Sequence, residues 1–174
     1  VESARALLDR TRAALGIDAR SLELEVGSDG RSILDVGWSR ELAGPRFHGF
    51  RFRQVLDGVP VFRAGVGFLV RAEPGYPVVL SSFDVKDVSG TDTSFARVPG
   101  AGEPSASMLQ AVGLLLDGQL FARGVALPAR SEAIQASEKA LVVFTGTADA
   151  PVAPTLALQF IATRGSAGAN AARF

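Results

Sequence analysis

The stretch that most constrains this chain is residues 47–70, FHGFRFRQVLDGVPVFRAGVGFLV, in which two alternating runs flank Leu56-Asp57-Gly58. Asp-Gly between alternating apolar residues is the strongest short-range hairpin signal. Side-chain parity then selects a loop. A two-residue turn at Asp57-Gly58 in an unbroken ladder puts Arg51 and Arg53 on the face of Phe62, Ala64 and Val66. A three-residue loop with Gly58 in the left-handed conformation puts Phe52 opposite Phe62, Phe50 opposite Ala64, and Arg51 opposite Arg63 on the other face. A one-residue slip moves every side chain to the other face, so the buried set decides. The expectation is therefore a three-residue loop with a bulge at Gly58 and Pro60 beside Gln54, where its missing N–H costs nothing.

Around this hairpin the chain reads as alternating order and punctuation. Residues 2–15 carry an apolar stripe of Ala4, Leu7, Leu8, Ala14 and Leu15 at helical spacing, stopped by Gly16. Leu22, Leu24 and Val26 alternate with Glu23 and Glu25 as a half-buried strand. Ile33, Leu34, Val36 and Trp38 suggest another short strand before the Gly44-Pro45 break, and residues 79–85 a third strand of the meander. Gly65 and Gly67 leave one face of the middle strand thin enough for a helix or a partner to approach closely. Residues 89–104, SGTDTSFARVPGAGEP, read as a linker. Beyond it, Ser105 or Ser107 caps a helix bearing Met108, Leu109, Val112, Leu115 and Leu116, with a further helical turn expected over 131–137. Residues 140–145 and 155–162 read as two strands.

The chemistry-bearing residues are few. Cysteine is absent and His48 is the single histidine, so neither a thiol nucleophile nor a His-Glu-x-x-His zinc site exists. Asp84, Asp87 and Asp92 match a calcium loop poorly and read as solvated carboxylates. Lys+Arg and Asp+Glu both number 18, so no net field draws the 174-residue chain to nucleic acid or an anionic membrane. No apolar run approaches the ~20 residues that span a bilayer. The sequence thus points to a non-catalytic protein without cofactor or metal. Arg51, Arg53 and Arg63 are its concentrated charge: a solubilising face, or a patch for an acidic partner.

Arg51-Phe52-Arg53-Gln54 followed by Gly58-Val59-Pro60-Val61-Phe62 resembles the propeptide motif of thermolysin- and fungalysin-type zinc metalloproteases. Arg51, Phe52, Gln54, Gly58, Pro60, Val61 and Phe62 fall on matching positions. Gly49 stands where that family often has His, and Arg53 where it tends to have a second Gln. Leu141-Val142-Val143-Phe144 and Leu156-Ala157-Leu158, after a helix, are similar to the PepSY domain that follows the motif domain in those propeptides.

The resemblance implies an α+β fold of two small helix-on-antiparallel-sheet (cystatin-like) halves in tandem. Residues 1–88 would form the motif domain, 89–104 the linker, and 105–174 a PepSY-like domain truncated at its C-terminus. It implies a zymogen's propeptide, secreted or periplasmic with its signal peptide outside this chain. Its partner would be the cognate metalloprotease catalytic domain, which it inhibits and helps to fold. Partner-binding candidates are Arg51, Arg53 and Arg63, together with Arg173 and Phe174 near the end expected to lead into the cleft. The alternative from another class is a stand-alone secreted binding module, a protein inhibitor or ligand carrier.

Overall fold

In the computed structural model the described residues are 5–10, 16, 21–122, 134–147, 149–164 and 171–173. Strands dominate them: β1 (Leu22–Leu24), β2 (Leu34–Ser39), β3 (Gly44–Leu56), β4 (Val59–Arg71), β5 (Val78–Asp84), β6 (Ile134–Thr147), β7 (Ala150–Arg164) and β8 (Ala171–Arg173). Helical residues are 5–10 (α1), α2 (Ala106–Ala122) and a 3₁₀ turn at Ser94–Arg97. The hydrogen-bonded order is β1-β3-β4-β6-β7-β8, with β2 also on β3 and β5 also on β4.

This corrects the expected fold. The strands form a mixed sheet with few helices among the described residues, not two helix-on-antiparallel-sheet halves of cystatin type. Two features overturn that reading. Residues 140–145 and 155–162 lie inside strands of 14 and 15 residues, and of the helical turn expected over 131–137, residues 134–137 are strand while 131–133 lie outside the described residues. Val143 of β6 also pairs in parallel with Val61 of β4, so β6 meets the central hairpin at this residue. The chain divides into two compact units that are discontinuous in sequence. One comprises Val1–Gly90 with Val143–Pro154, the other Thr91–Val142 with Thr155–Phe174.

The hairpin closes differently from expectation. Leu56 pairs with Val59 and Val55 with Pro60, so the loop is the two residues Asp57 and Gly58, not three. Their φ angles of 50° and 82° are those of a type I′ turn, whose twist suits the flanking strands. Pro60 accordingly faces Val55, not Gln54. Further along, Arg53 pairs with Gly65 and Phe52 with Val66. Between these pairs a single β3 residue, Gln54, stands against four of β4, Val61 to Ala64. Three extra residues is an odd number, so the faces swap within the strand. The expected pairs Phe52–Phe62, Phe50–Ala64 and Arg51–Arg63 are replaced by Phe52–Val66, Phe50–Phe68 and Arg51–Gly67; Phe50 and Phe52 still face the core because the swap of faces sits in β4 and not in the loop.

Above the break, Phe50, Phe52, Val66, Phe68 and Val70 form the buried core with Leu8 of α1; Leu7, Leu22, Leu24, Val78 and Val85 pack at its margin. Phe52 meets Phe50 and Phe68 edge-on at 6.2 Å centroid separations, a favoured aromatic geometry. Burying each phenyl contributes roughly 1.5–3 kcal/mol. In the second unit Ser105 caps α2: its Oγ accepts from the Met108 N–H at 3.2 Å. That helix is apolar nearly all round, with Leu116 buried while Leu114 and Leu115 are 71% and 59% exposed.

Gly65 is where the break rejoins the ladder. A Cβ there would overlap the Phe52 carbonyl oxygen and lie 3.2 Å from Arg53 Cα. Both are backbone atoms in the core strand and cannot yield cheaply. Gly58 instead faces open space and needs only its positive φ. Gly65→Ala is therefore expected to lower unfolding free energy by about 3 kcal/mol or more. Gly58→Ala should cost about 1–2 kcal/mol and Gly58→Asn less, all measured by urea denaturation. Equal losses for Gly65→Ala and Gly58→Ala would contradict the close approach.

Candidate functional site

Opposed residues of neighbouring strands share a face. The register therefore puts Glu23, Arg51, Arg53, Gly49, Gly65, Gly67, Leu69, Leu80, Ser82 and Leu34 on the face away from the phenylalanine core. The arginines on it are not an unpaired patch. Arg53 reaches Glu23 Oε2 from Nη2 at 2.9 Å, and Arg51 Nε lies 3.8 Å from Glu25 Oε2. Arg51 Nη2 also donates to the Arg63 carbonyl at 3.3 Å. The glutamates explained in the sequence by alternation alone are thus the arginines' cross-strand partners. Each pair is half exposed and contributes roughly 0.2–1 kcal/mol. The Arg63 side chain is not part of these ion pairs: the residue lies in the β4 break at φ 56°, with its guanidinium 5.1 Å from the Phe62 ring centroid.

The motif residues are concentrated at the break. Phe52 is core, Gly58 makes the turn, and Pro60 follows it. Val61, 3% exposed, is the residue that pairs with Val143. Next to it the Phe62 ring lies 5.6 Å from that of Phe144. Gln54 faces the gap left by β4 and fills it with its own side chain. Its Nε2 donates to the Lys86 carbonyl at 2.8 Å, and its Oε1 accepts from the Lys86 N–H at 2.9 Å. The amide thus supplies to the chain leaving β5 the donor and acceptor that the diverted β4 backbone no longer offers. At 3% exposure, Gln54 has both amide groups committed to this bond pair.

The glycine face carries a cleft of about 560 Å³. Its lining includes Gly49 and Gly67, the apolar Leu34, Val36, Leu69 and Leu80, and the polar Arg51, Glu25 and Ser82. Small residues allow close approach, and this volume lies within the ~300–1,000 Å³ range of ligand clefts. Gly67 was legible in the sequence as a thin point; Gly49, Leu34 and Leu80 were missed. Leu34 and Leu80 are 70% and 61% exposed, and only the strand register reveals that they bracket one site.

The remaining candidates are accounted for locally. His48 Nδ1 lies 2.9 Å from Asp35 Oδ1, and its ring 6.2 Å from that of Tyr76. Asp87 and Asp92 accept the backbone N–H of Ser89 and Ser94, bonds that hold both carboxyls below the usual range. Asp84 pairs with Lys86 at 2.6 Å. Among the described residues no group of three or more His, Asp or Glu side chains is placed to hold a metal ion. Arg173 contributes its backbone to β8 opposite Ile161, and Phe174 lies outside the described residues. No helix among the described residues is long and apolar enough to cross a membrane. Comparison with protein-family models, with curated proteins and with solved structures yields no match.

Gln54→Ala leaves the Lys86 N–H and carbonyl without their partner. The expected loss is about 1–3 kcal/mol of stability, with faster hydrogen exchange at the Lys86 amide. Gln54→Glu can still accept the N–H but faces the Lys86 carbonyl with a second acceptor, so it should recover only part of that loss. Unchanged exchange at Lys86 in Gln54→Ala would remove the stitch from the account.

Proposed function

We propose that this chain is the propeptide region of a secreted zinc metalloprotease, a non-catalytic inhibitor and folding assistant of the enzyme made with it. The observation that carries the reading is the string Arg51-Phe52-x-Gln54 followed by Gly58-x-Pro60-Val61-Phe62. Physical reasoning supports the two roles. Extracellular proteases persist through high unfolding barriers, and a domain that binds the folding transition state lowers the matching folding barrier. While covalently joined it acts at an effective concentration on the order of mM, so modest affinity suffices for inhibition. Recognition rests on the cleft lined by Gly49, Gly67, Leu34 and Leu80. Arg51 and Arg53 already have glutamate partners, so the arginine face offers little unsatisfied charge for an acidic partner. The apolar lining of the cleft also favours a second reading, a stand-alone secreted ligand carrier.

Added in trans to the mature metalloprotease encoded with it, the chain should inhibit reversibly and raise the refolding yield of the denatured enzyme. Leu34→Asp combined with Leu80→Asp should raise the inhibition constant at least about tenfold, since charge inside an apolar contact is poorly compensated. Both side chains are exposed, so the melting temperature should change little. Neither inhibition nor assisted refolding would end the propeptide reading. Saturable binding of a solvatochromic dye, lost in the double variant, would then support the carrier.

A further inference from the structure

Residues 94–102 are held at both ends and only by turns between. Thr93 is 5% exposed, and the Ser94 N–H donates to the Asp92 carboxylate at 2.8 Å. At the far end Glu103 pairs with Lys139. In the stretch itself the N–H groups of Ala96, Val98, Ala101 and Glu103 donate to carbonyls three residues back. Such turns have poorer bond geometry than a ladder, and opening them breaks no strand pairing. Phe95 and Val98 are 57% and 48% exposed. Arg97 between them is exposed too, and among the described residues neither its guanidinium nor its carbonyl has a bonding partner. By contrast Arg31, Arg51, Arg53 and Arg71 each face a carboxylate. Val98 is already extended, with φ −76° and ψ 129°. That is the conformation in which a peptide pairs as a strand with the protein that binds it.

We propose that the Arg97–Val98 bond is a proteolytic processing site, cut in the folded chain by an arginine-specific endopeptidase. The unpaired guanidinium suits a specificity pocket that carries a carboxylate, and the exposed Phe95 and Val98 side chains are free to enter the subsites on either side. Hydrolysis adds one water across the bond, leaving a carboxylate on Arg97 and an ammonium group on Val98. The site goes beyond the propeptide reading and does not depend on it. Every residue lining the cleft, from Glu25 to Ser82, lies before the cut. Val143–Pro154 lie after it, yet they belong to the same compact unit as Val1–Gly90. There Val143 pairs with Val61, and the Phe144 ring lies 5.6 Å from that of Phe62. Cleavage thus yields two fragments held together without a covalent bond, and the cleft-bearing fragment leaves only when those contacts yield.

Limiting trypsin on the native chain, followed by N-terminal sequencing, tests the site. Arg31 and Arg40 are also exposed, but their carbonyls accept the Gly27 and Ala43 N–H groups in closed turns. A new terminus at Val98 should therefore appear at least about tenfold faster than one at Ser32 or Glu41. Its rate should rise only slightly with urea below the unfolding transition, because local opening exposes little surface. Arg97→Gln should remove the Val98 terminus and leave the melting temperature unchanged, while Arg97→Lys should keep both. Gel filtration should show the two fragments together at the volume of the uncut chain and apart in denaturant. Protein recovered from the natural source should contain the Val98 terminus. Earlier cuts at Ser32 or Glu41, a Val98 terminus that appears only in step with global unfolding, or one that persists in Arg97→Gln would overturn the site. Fragments that part on cutting would overturn the held pair, and only uncut chain in the natural material would overturn the processing role.

Discussion

The structure of the first unit depends on one mismatch, a single residue of β3 set against four of β4. Everything beside it follows from that count. A two-residue Asp57-Gly58 turn alone would drive Arg51 and Arg53 into the phenylalanine core. The odd excursion from Val61 to Ala64 reverses the parity and returns Phe50 and Phe52 to the buried side. The excursion removes β4 backbone from the ladder, and the buried amide of Gln54 meets Lys86 in its place. It also carries Val61 to Val143 and Phe62 to Phe144, contacts that an uninterrupted strand would forgo. Strand breaks of this kind redirect side chains at a cost in ladder bonds, offset here by a side-chain bond pair and a parallel contact.

Much of the hairpin was legible in the sequence because alternation and burial speak directly. The core side of Phe50 and Phe52, the position of the turn around Asp57-Gly58 though not its length, and a cap at one of Ser105 and Ser107 each rest on local signals. The place of the parity change was not legible, since a three-residue loop and a break inside β4 satisfy the same pattern. The difference lies in Val61–Val143, a pairing across more than eighty residues that no local window contains. The same gap produced the fold-class error. Residues 134–147 and 150–164 carry weak strand signals, and long-range pairing, not intrinsic propensity, extends them.

The candidate site was partly readable for the same reason. Glycines at 65 and 67 announce a thin face, yet their uses differ: Gly65 admits the Phe52 carbonyl, and Gly67 lines a cleft beside the Ser82 hydroxyl. Arg51 and Arg53 are the more conspicuous residues, and a charge-based reading favours them as a binding patch. Register changes that weighting by setting Glu25 and Glu23 within ion-pair reach. Among the described residues, the exposed apolar side chains at the cleft are Leu34 and Leu80.

The count at the break can be measured directly. Nuclear Overhauser contacts across β3 and β4 in the labelled chain should place Phe52 opposite Val66 and Arg51 opposite Gly67, with Leu56 opposite Val59 at the turn. They should also connect Val61 to Val143. Phe52 opposite Phe62, the pairing of an unbroken ladder from a three-residue loop, would contradict the account.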